Sequence, residues 1–185
     1  MNELFPTGKC YLGGDPGKSG AIAVISADQQ TLDIFKTPQN KDPIHTWLEL
    51  TQEIAAKYPV LIGFVEKPNV GAGGKNKKGK QGTSQLVKQG VNIAYMMMAI
   101  AAAKIPFTPL APATWTGQLG LRKGKASSTV WKTELYEQAK RFYPKHEFPK
   151  YAADAVLIAE ICRRFDGIKP KTVRVPKKKE GPAPY

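Results

Sequence analysis

Three features of the 185-residue sequence predict an α/β fold organised on one central sheet. The stretch YLGGDPGKSGAIAVI at 11–25 reads as strand, turn, strand, with Pro16-Gly17 supplying the turn chemistry. The run VLIGFV at 60–65 is apolar throughout, the pattern of a strand covered on both faces. Segments with helical spacing lie between and after these runs, so helices alternate with the later strands.

In chain order, residues 10–12 are apolar, and Gly13 and Gly14 allow another backbone to approach closely. After the hairpin, TLDIFK at 31–36 alternates and predicts a third strand, antiparallel to the second. Asp42-Pro43 opens a helix whose apolar positions Ile44, Trp47, Leu48, Leu50, Ile54 and Ala55 fall near helical spacing, ending near Tyr58-Pro59. The strand at 60–65 ends at Glu66-Lys67-Pro68, and a long helix capped by Ser84 then runs through Lys104. Its three consecutive methionines, 96–98, are expected to pack in the core. A last short strand follows at 105–111, and Pro112 starts a helical turn through Trp115. Ser127 or Ser128 caps a helix over 129–142, and the last helix, from about Pro149, carries YAADAVLIAEICRRF.

A chain of this length has room for about one domain, and no internal repeat is visible. The expected plan is an N-terminal extension at 1–9, a domain at 10–166 and a basic disordered tail at 167–185. The N-terminus lacks the pattern of an export signal, and the longest apolar run, 94–103, is about half a membrane span. A soluble, intracellular protein without a membrane partner is therefore expected. Cys10 and Cys162 form neither a disulfide framework nor a CxxC pair and read as reduced core residues.

The formal charge of +13 is clustered. Five lysines and no acid lie between Lys67 and Lys80, among the glycines and asparagine of GAGGKNKKGK. From Arg163 to Tyr185 there are eight basic residues against two acids, with four prolines. Such segments suit polyanions, because they release counterions from a phosphate backbone. Nucleic acid is favoured over an anionic membrane because acids of catalytic character accompany the charge.

Asp15 ends a strand of buried composition, where an ionised carboxylate requires a cation, a phosphate partner or backbone amides. Capping the turn is the simpler role open to it. GDPGKS resembles a phosphate-binding P-loop, but that motif needs four residues between its first glycine and Gly-Lys-Ser, and position 12 is Leu. The hairpin also resembles the first phosphate loop of actin-like nucleotide-binding enzymes, which use two such domains. Glu66 repeats the position of Asp15, at the C-terminal end of a central strand, where sites collect in open α/β sheets. Asp154 lies among Ala152, Ala153, Ala155, Val156, Ile158 and Ala159, small residues that allow its helix to pack close to the sheet. A water-facing helix-start aspartate is the alternative there.

GGDPGKSGAIAV, VLIGFVEKP, PLAPATW followed by a basic loop, and KYAADAVLIAE occur in that order over residues 10–165. This arrangement resembles the RuvC group of Holliday-junction resolvases, within the ribonuclease-H-like fold. Residues 94–115 are similar to the chloroplast resolvases of that group. The resemblance implies a central mixed five-stranded sheet, its first three strands antiparallel, flanked by helices. It implies a homodimeric endonuclease that resolves four-way junctions by paired metal-dependent hydrolysis, leaving 5′-phosphate and 3′-hydroxyl nicks. Its compartment would be wherever its DNA lies: cytoplasm or nucleoid, or a phage or organelle setting.

By the same resemblance Asp15, Glu66 and Asp154 are the catalytic metal ligands for two Mg²⁺, for which Mn²⁺ would substitute. Asp15 would bridge both ions, whose hard character suits carboxylate oxygens. Lys75, Lys77, Lys78, Lys80, Arg122, Lys123 and Lys125 would contact DNA phosphates. One departure stands out: a fourth acid or a histidine is expected three or four residues before Asp154, where this chain has Tyr151 and Lys150. Glu160, six residues on, faces another direction by helical geometry, which leaves Glu147 or His146 as substitutes, or an impaired enzyme. A non-catalytic junction-binding domain and an actin-like nucleotide-binding enzyme remain the alternatives.

Overall fold

A computed structural model describes residues 8–17, 19–39, 43–58, 61–67, 83–124 and 126–171, with side chains from 87 onward in the segment that opens at 83. Strands β1 (Cys10–Asp15), β2 (Ala21–Ser26) and β3 (Leu32–Lys36) form an antiparallel meander. After helix α1 (Pro43–Lys57), β4 (Leu61–Glu66) adds parallel to β1. After helix α2 (Thr83–Ala102), β5 (Phe107–Leu110) adds parallel to β4. The sheet order is β3-β2-β1-β4-β5, the mixed five-stranded sheet that the sequence predicts. Helices α3 (Pro112–Gln118), α4 (Ser128–Phe142) and α5 (Ala153–Arg164) follow, α5 entered through a single 3₁₀ turn at Lys150–Ala152.

Strand alternation sends successive side chains to opposite sides, so the sheet carries two cores. Leu12, Ile22, Val24 and Val65 pack under α1 and α2 with Trp47, Ile54, Met96 and Ile100. On the other side Tyr11, Ala23, Ile25 and Phe64 pack under α3, α4 and α5 with Trp115, Leu135 and Ile158. The central strands β1 and β2 are buried along their whole length, while β3 at the edge is mostly half-buried. Both cysteines are buried and free, and burial pushes the Cys10 thiol up to about 11 and that of Cys162 up to about 12, as unreactive core residues require.

The methionine run needs a correction. Met96 is fully buried, Met97 is half-buried and Met98 is 61% exposed. Three consecutive residues span about 200° of an α-helix, so a helix covering one face of a sheet cannot bury all of them. The basic loop of Lys75, Lys77, Lys78 and Lys80, Lys125, and the tail from 172 lie outside the described residues.

Candidate active site

The register of the central strands brings the first two acids together. Gly14 pairs with Val65 across parallel β1 and β4, and the next residues, Asp15 and Glu66, stand side by side at the C-terminal edge on strands about 5 Å apart. Residues two apart share a face, so Asp15 points to the same side as Gly13. A Cβ added at Gly13 would lie 2.0 Å from the carbonyl oxygen of Ala155 and 2.3 Å from the amide nitrogen of Ala159. Glycine at this position is what lets α5 lie directly on β1.

That close approach delivers the third acid. Asp154 occupies the first turn of α5, next to Ala155, where the helix dipole favours a carboxylate. Asp154 is 7% exposed and Asp15 is 9% exposed, so the water-facing role for Asp154 does not hold.

Each acid is oriented by a different donor. The Gly17 amide donates to Asp15 Oδ1 at 2.9 Å, so Asp15 also caps its own turn. Trp115 Nε1 donates to Glu66 Oε2 at 2.9 Å, from a buried indole on α3. Lys132 of α4 forms an ion pair with Asp154 Oδ2. Asp154 Oδ1 is buried with no hydrogen-bond partner.

The three carboxylates share one field. Burial first, then the charge of Asp154, raises the pKa of Asp15 against the Gly17 amide and Lys132. Burial and then Asp15 push Glu66 up to about 7, against the Trp115 N–H. Burial opposes the charge on Lys132, but Asp154, Asp15 and Glu66 together outweigh it and hold the ammonium in its protonated form. Among the described residues, three acids thus share this edge of the sheet with one amine, Lys132.

The sequence similarity that identifies relatives is thin. No protein-family model and no curated protein matches the chain. Solved structures do match. A T. thermophilus RuvC in complex with a Holliday junction substrate is similar with a TM-score of 0.59 at 18% identity, over 88% of this chain and 99% of that one. A second Thermus thermophilus RuvC structure is similar with a TM-score of 0.55 at 15% identity, over 86% and 96% of the two chains. The chain has the RuvC fold. It is thus ribonuclease-H-like, as the order of strands and helices implies.

At the place of the fourth ligand expected from the resemblance the chain has Tyr151 and Lys150, not an acid. Tyr151 lies with its ring 5.5 Å from the Lys36 ammonium, and Lys150 donates to Thr133 Oγ1 at 2.7 Å. The suggested substitutes are engaged elsewhere. His146 contacts the Gln29 carbonyl at 3.1 Å and stacks edge-on against Tyr143, while Glu147 pairs with Lys140 at 3.2 Å. Glu160 does face another direction: it is buried against Tyr143, Arg163 and Arg164 in a network of its own, and those donors hold its carboxyl below the usual range against burial.

Lys132 was not among the residues singled out from sequence. Its signal lies in the spacing: positions 132, 135, 139 and 143 form one stripe, of which Leu135, Ala139 and Tyr143 are buried. A lysine at the head of an inward stripe asks for an acidic partner. Arg122 and Lys123 are exposed on the loop between α3 and α4.

The donor set fits a hard divalent cation: three carboxylates, an orphaned Asp154 oxygen, and more negative charge than Lys132 neutralises. Among the described residues no three His, Cys, Asp or Glu side chains close on a common metal position. Trp115 holds one oxygen of Glu66 and Lys132 one oxygen of Asp154.

Proposed function

We propose that the chain is a structure-selective DNA endonuclease that resolves four-way junctions by paired, metal-dependent phosphodiester hydrolysis, leaving 5′-phosphate and 3′-hydroxyl ends. What supports this reading is the side-by-side register of Asp15 and Glu66 at the C-terminal edge of a RuvC-like sheet, with the charge of Asp154 acting on both, in a chain of net charge +13. Asp15, Glu66 and Asp154 would hold two Mg²⁺, with Mn²⁺ substituting. Such ions activate a water and stabilise the leaving oxygen when bound.

The chain's own groups prepare that chemistry. Trp115 fixes the rotamer of Glu66 and the Gly17 amide fixes Asp15, so two ligands are oriented before any cation arrives. Arg122 and Lys123, with Lys75, Lys77, Lys78, Lys80 and Lys125, neutralise backbone phosphates and position the duplex arms without reading bases. Among the described residues no helix is long and apolar enough to cross a membrane. The protein acts wherever its DNA lies, in a cytoplasm or nucleoid or in a phage or organelle setting.

Two symmetric cuts call for a homodimer. Helix α2 carries a fitting surface: Val87, Val91 and Met98 are 59%, 39% and 61% exposed, and Ala94 and Ala101 are exposed between and beyond them. Alternating steps of four and three residues keep all five on one seam, the spacing of paired helices. Met98 is thus the outward element of the methionine run.

The replacement of a fourth acid by Tyr151 and Lys150 favours a second reading, a domain that binds junctions without cutting them. A gel assay with a four-way junction, with and without Mg²⁺, separates the two. The enzyme reading expects Mg²⁺-dependent paired nicks, lost in Asp15→Asn, Glu66→Gln and Asp154→Asn while binding persists or tightens. Binding with no cleavage by the unmodified chain supports the second reading, and normal cleavage by Asp154→Asn refutes the three-acid site.

A further inference from the structure

We propose that Lys132 is the resident counter-ion of the acid cluster and competes directly with the divalent cation for Asp154. The proposal rests on the metal-site reading above and adds to it an exchange step: the ammonium must give up Asp154 before a cation can take both oxygens of that carboxylate.

The geometry supports exchange. Lys132 reaches Asp154 from α4, across the gap between that helix and the first turn of α5. It engages one oxygen only, Oδ2, while Oδ1 of the same carboxylate is buried and unpartnered. Asp154 is nine-tenths buried and fixed on a helix packed against β1, whereas the Lys132 side chain is 47% exposed on a flexible four-carbon stem. The carboxylate cannot leave, but the ammonium can swing into water at little cost. Asp15 and Glu66 add their attraction to that of Asp154, so the lysine serves the whole cluster.

Two consequences follow from linkage. With no cation bound, Lys132 relieves part of the repulsion among two buried carboxylates and the half-buried Glu66, so replacing it leaves the metal-free protein less stable. Because a cation that takes both oxygens of Asp154 must displace the ammonium from Oδ2, replacing the lysine also tightens cation binding. Junction DNA supplies phosphates that can accept the displaced ammonium, so cation affinity should rise on DNA in the unmodified chain and rise less when the lysine is gone.

The test is titration calorimetry of the full chain with Mn²⁺, free of DNA, comparing the unmodified protein with Lys132→Met, Lys132→Ala, Lys132→Arg and Asp154→Asn. Lys132→Met and Lys132→Ala should bind Mn²⁺ about fivefold more tightly, the upper scale of removing one part-exposed ion pair. Lys132→Arg should keep the original affinity, and the two uncharged variants should melt lower than the unmodified chain in chelator. Unchanged or weaker Mn²⁺ binding by both uncharged variants overturns the competition, and does so whether or not the metal site is right. A chain that binds no Mn²⁺, or binds it equally after Asp154→Asn, overturns the metal-site reading and this inference together. The lysine is half-exposed on α4, so its replacement leaves the fold intact; agreement of Met and Ala variants controls for side-chain shape.

Discussion

Glu66→Gln in metal-free buffer is the most direct probe of the charge stored in the cleft. The folded carboxyl is raised from 4.5 to about 7, by burial first and by Asp15 second. For an acid raised in this way the folded state prefers the protonated form. Stability is therefore intact below about pH 4.5, falls as the pH climbs to about 7, and is flat above. At 1.36 kcal/mol per pKa unit the full penalty at pH 8 is roughly 3 kcal/mol, of which water entry and relaxation of Glu66 leave on the order of 2 kcal/mol. Glutamine keeps the acceptor for the Trp115 N–H and removes the charge that burial and Asp15 disfavour. For a chain of this size the variant should melt roughly 4–8 °C above the unmodified protein at pH 8 and together with it at pH 4. Thermal melts by circular dichroism in chelator at both pH values supply the comparison. Addition of Mg²⁺ at pH 8 should raise the unmodified protein and barely move the variant. Equal melting at pH 8, or a variant that is lower at both pH values, would refute the picture of a repulsive cleft waiting for cations.

Three further outcomes are expected. Gly13→Ala places a Cβ 2.0 Å from the Ala155 carbonyl, so α5 must lift from β1; urea unfolding should show a loss of about 4 kcal/mol or an unfolded chain, and a loss below 1 kcal/mol would contradict the packing. Met98→Lys buries a charge in the α2 seam and should convert a dimer to a monomer in light scattering, with junction binding weakened; a dimer that survives places the interface elsewhere. Replacing Lys75, Lys77, Lys78 and Lys80 with alanine should reduce the log–log salt slope of junction affinity by about 0.9 for each phosphate no longer neutralised, and an unchanged slope would put the DNA on another surface.

Much of the fold was legible because strands and helices here follow their hydrophobic periods. The apolar run ending at Glu66, the Pro16-Gly17 turn and the Ser127 cap, whose hydroxyl accepts from the Val130 amide, are local signals, and each element falls within a few residues of its predicted span. Asp15 and Glu66 were legible for a related reason: a carboxylate at the end of a buried strand is anomalous wherever the strand goes. Asp154 was anomalous too, but its side of the helix was not readable, because small residues surround it on every side in the sequence. Only the seating of α5 on Gly13 decides that Asp154 turns inward. The partners of Lys132 and Trp115, and the orphaned Asp154 oxygen, belong to the tertiary level. A hydrogen bond or an ion pair between residues 22 or 49 positions apart exists only once the sheet has set their distance. Local periodicity can bury a residue on one face of its own element; which charge it meets there is settled by the elements packed opposite.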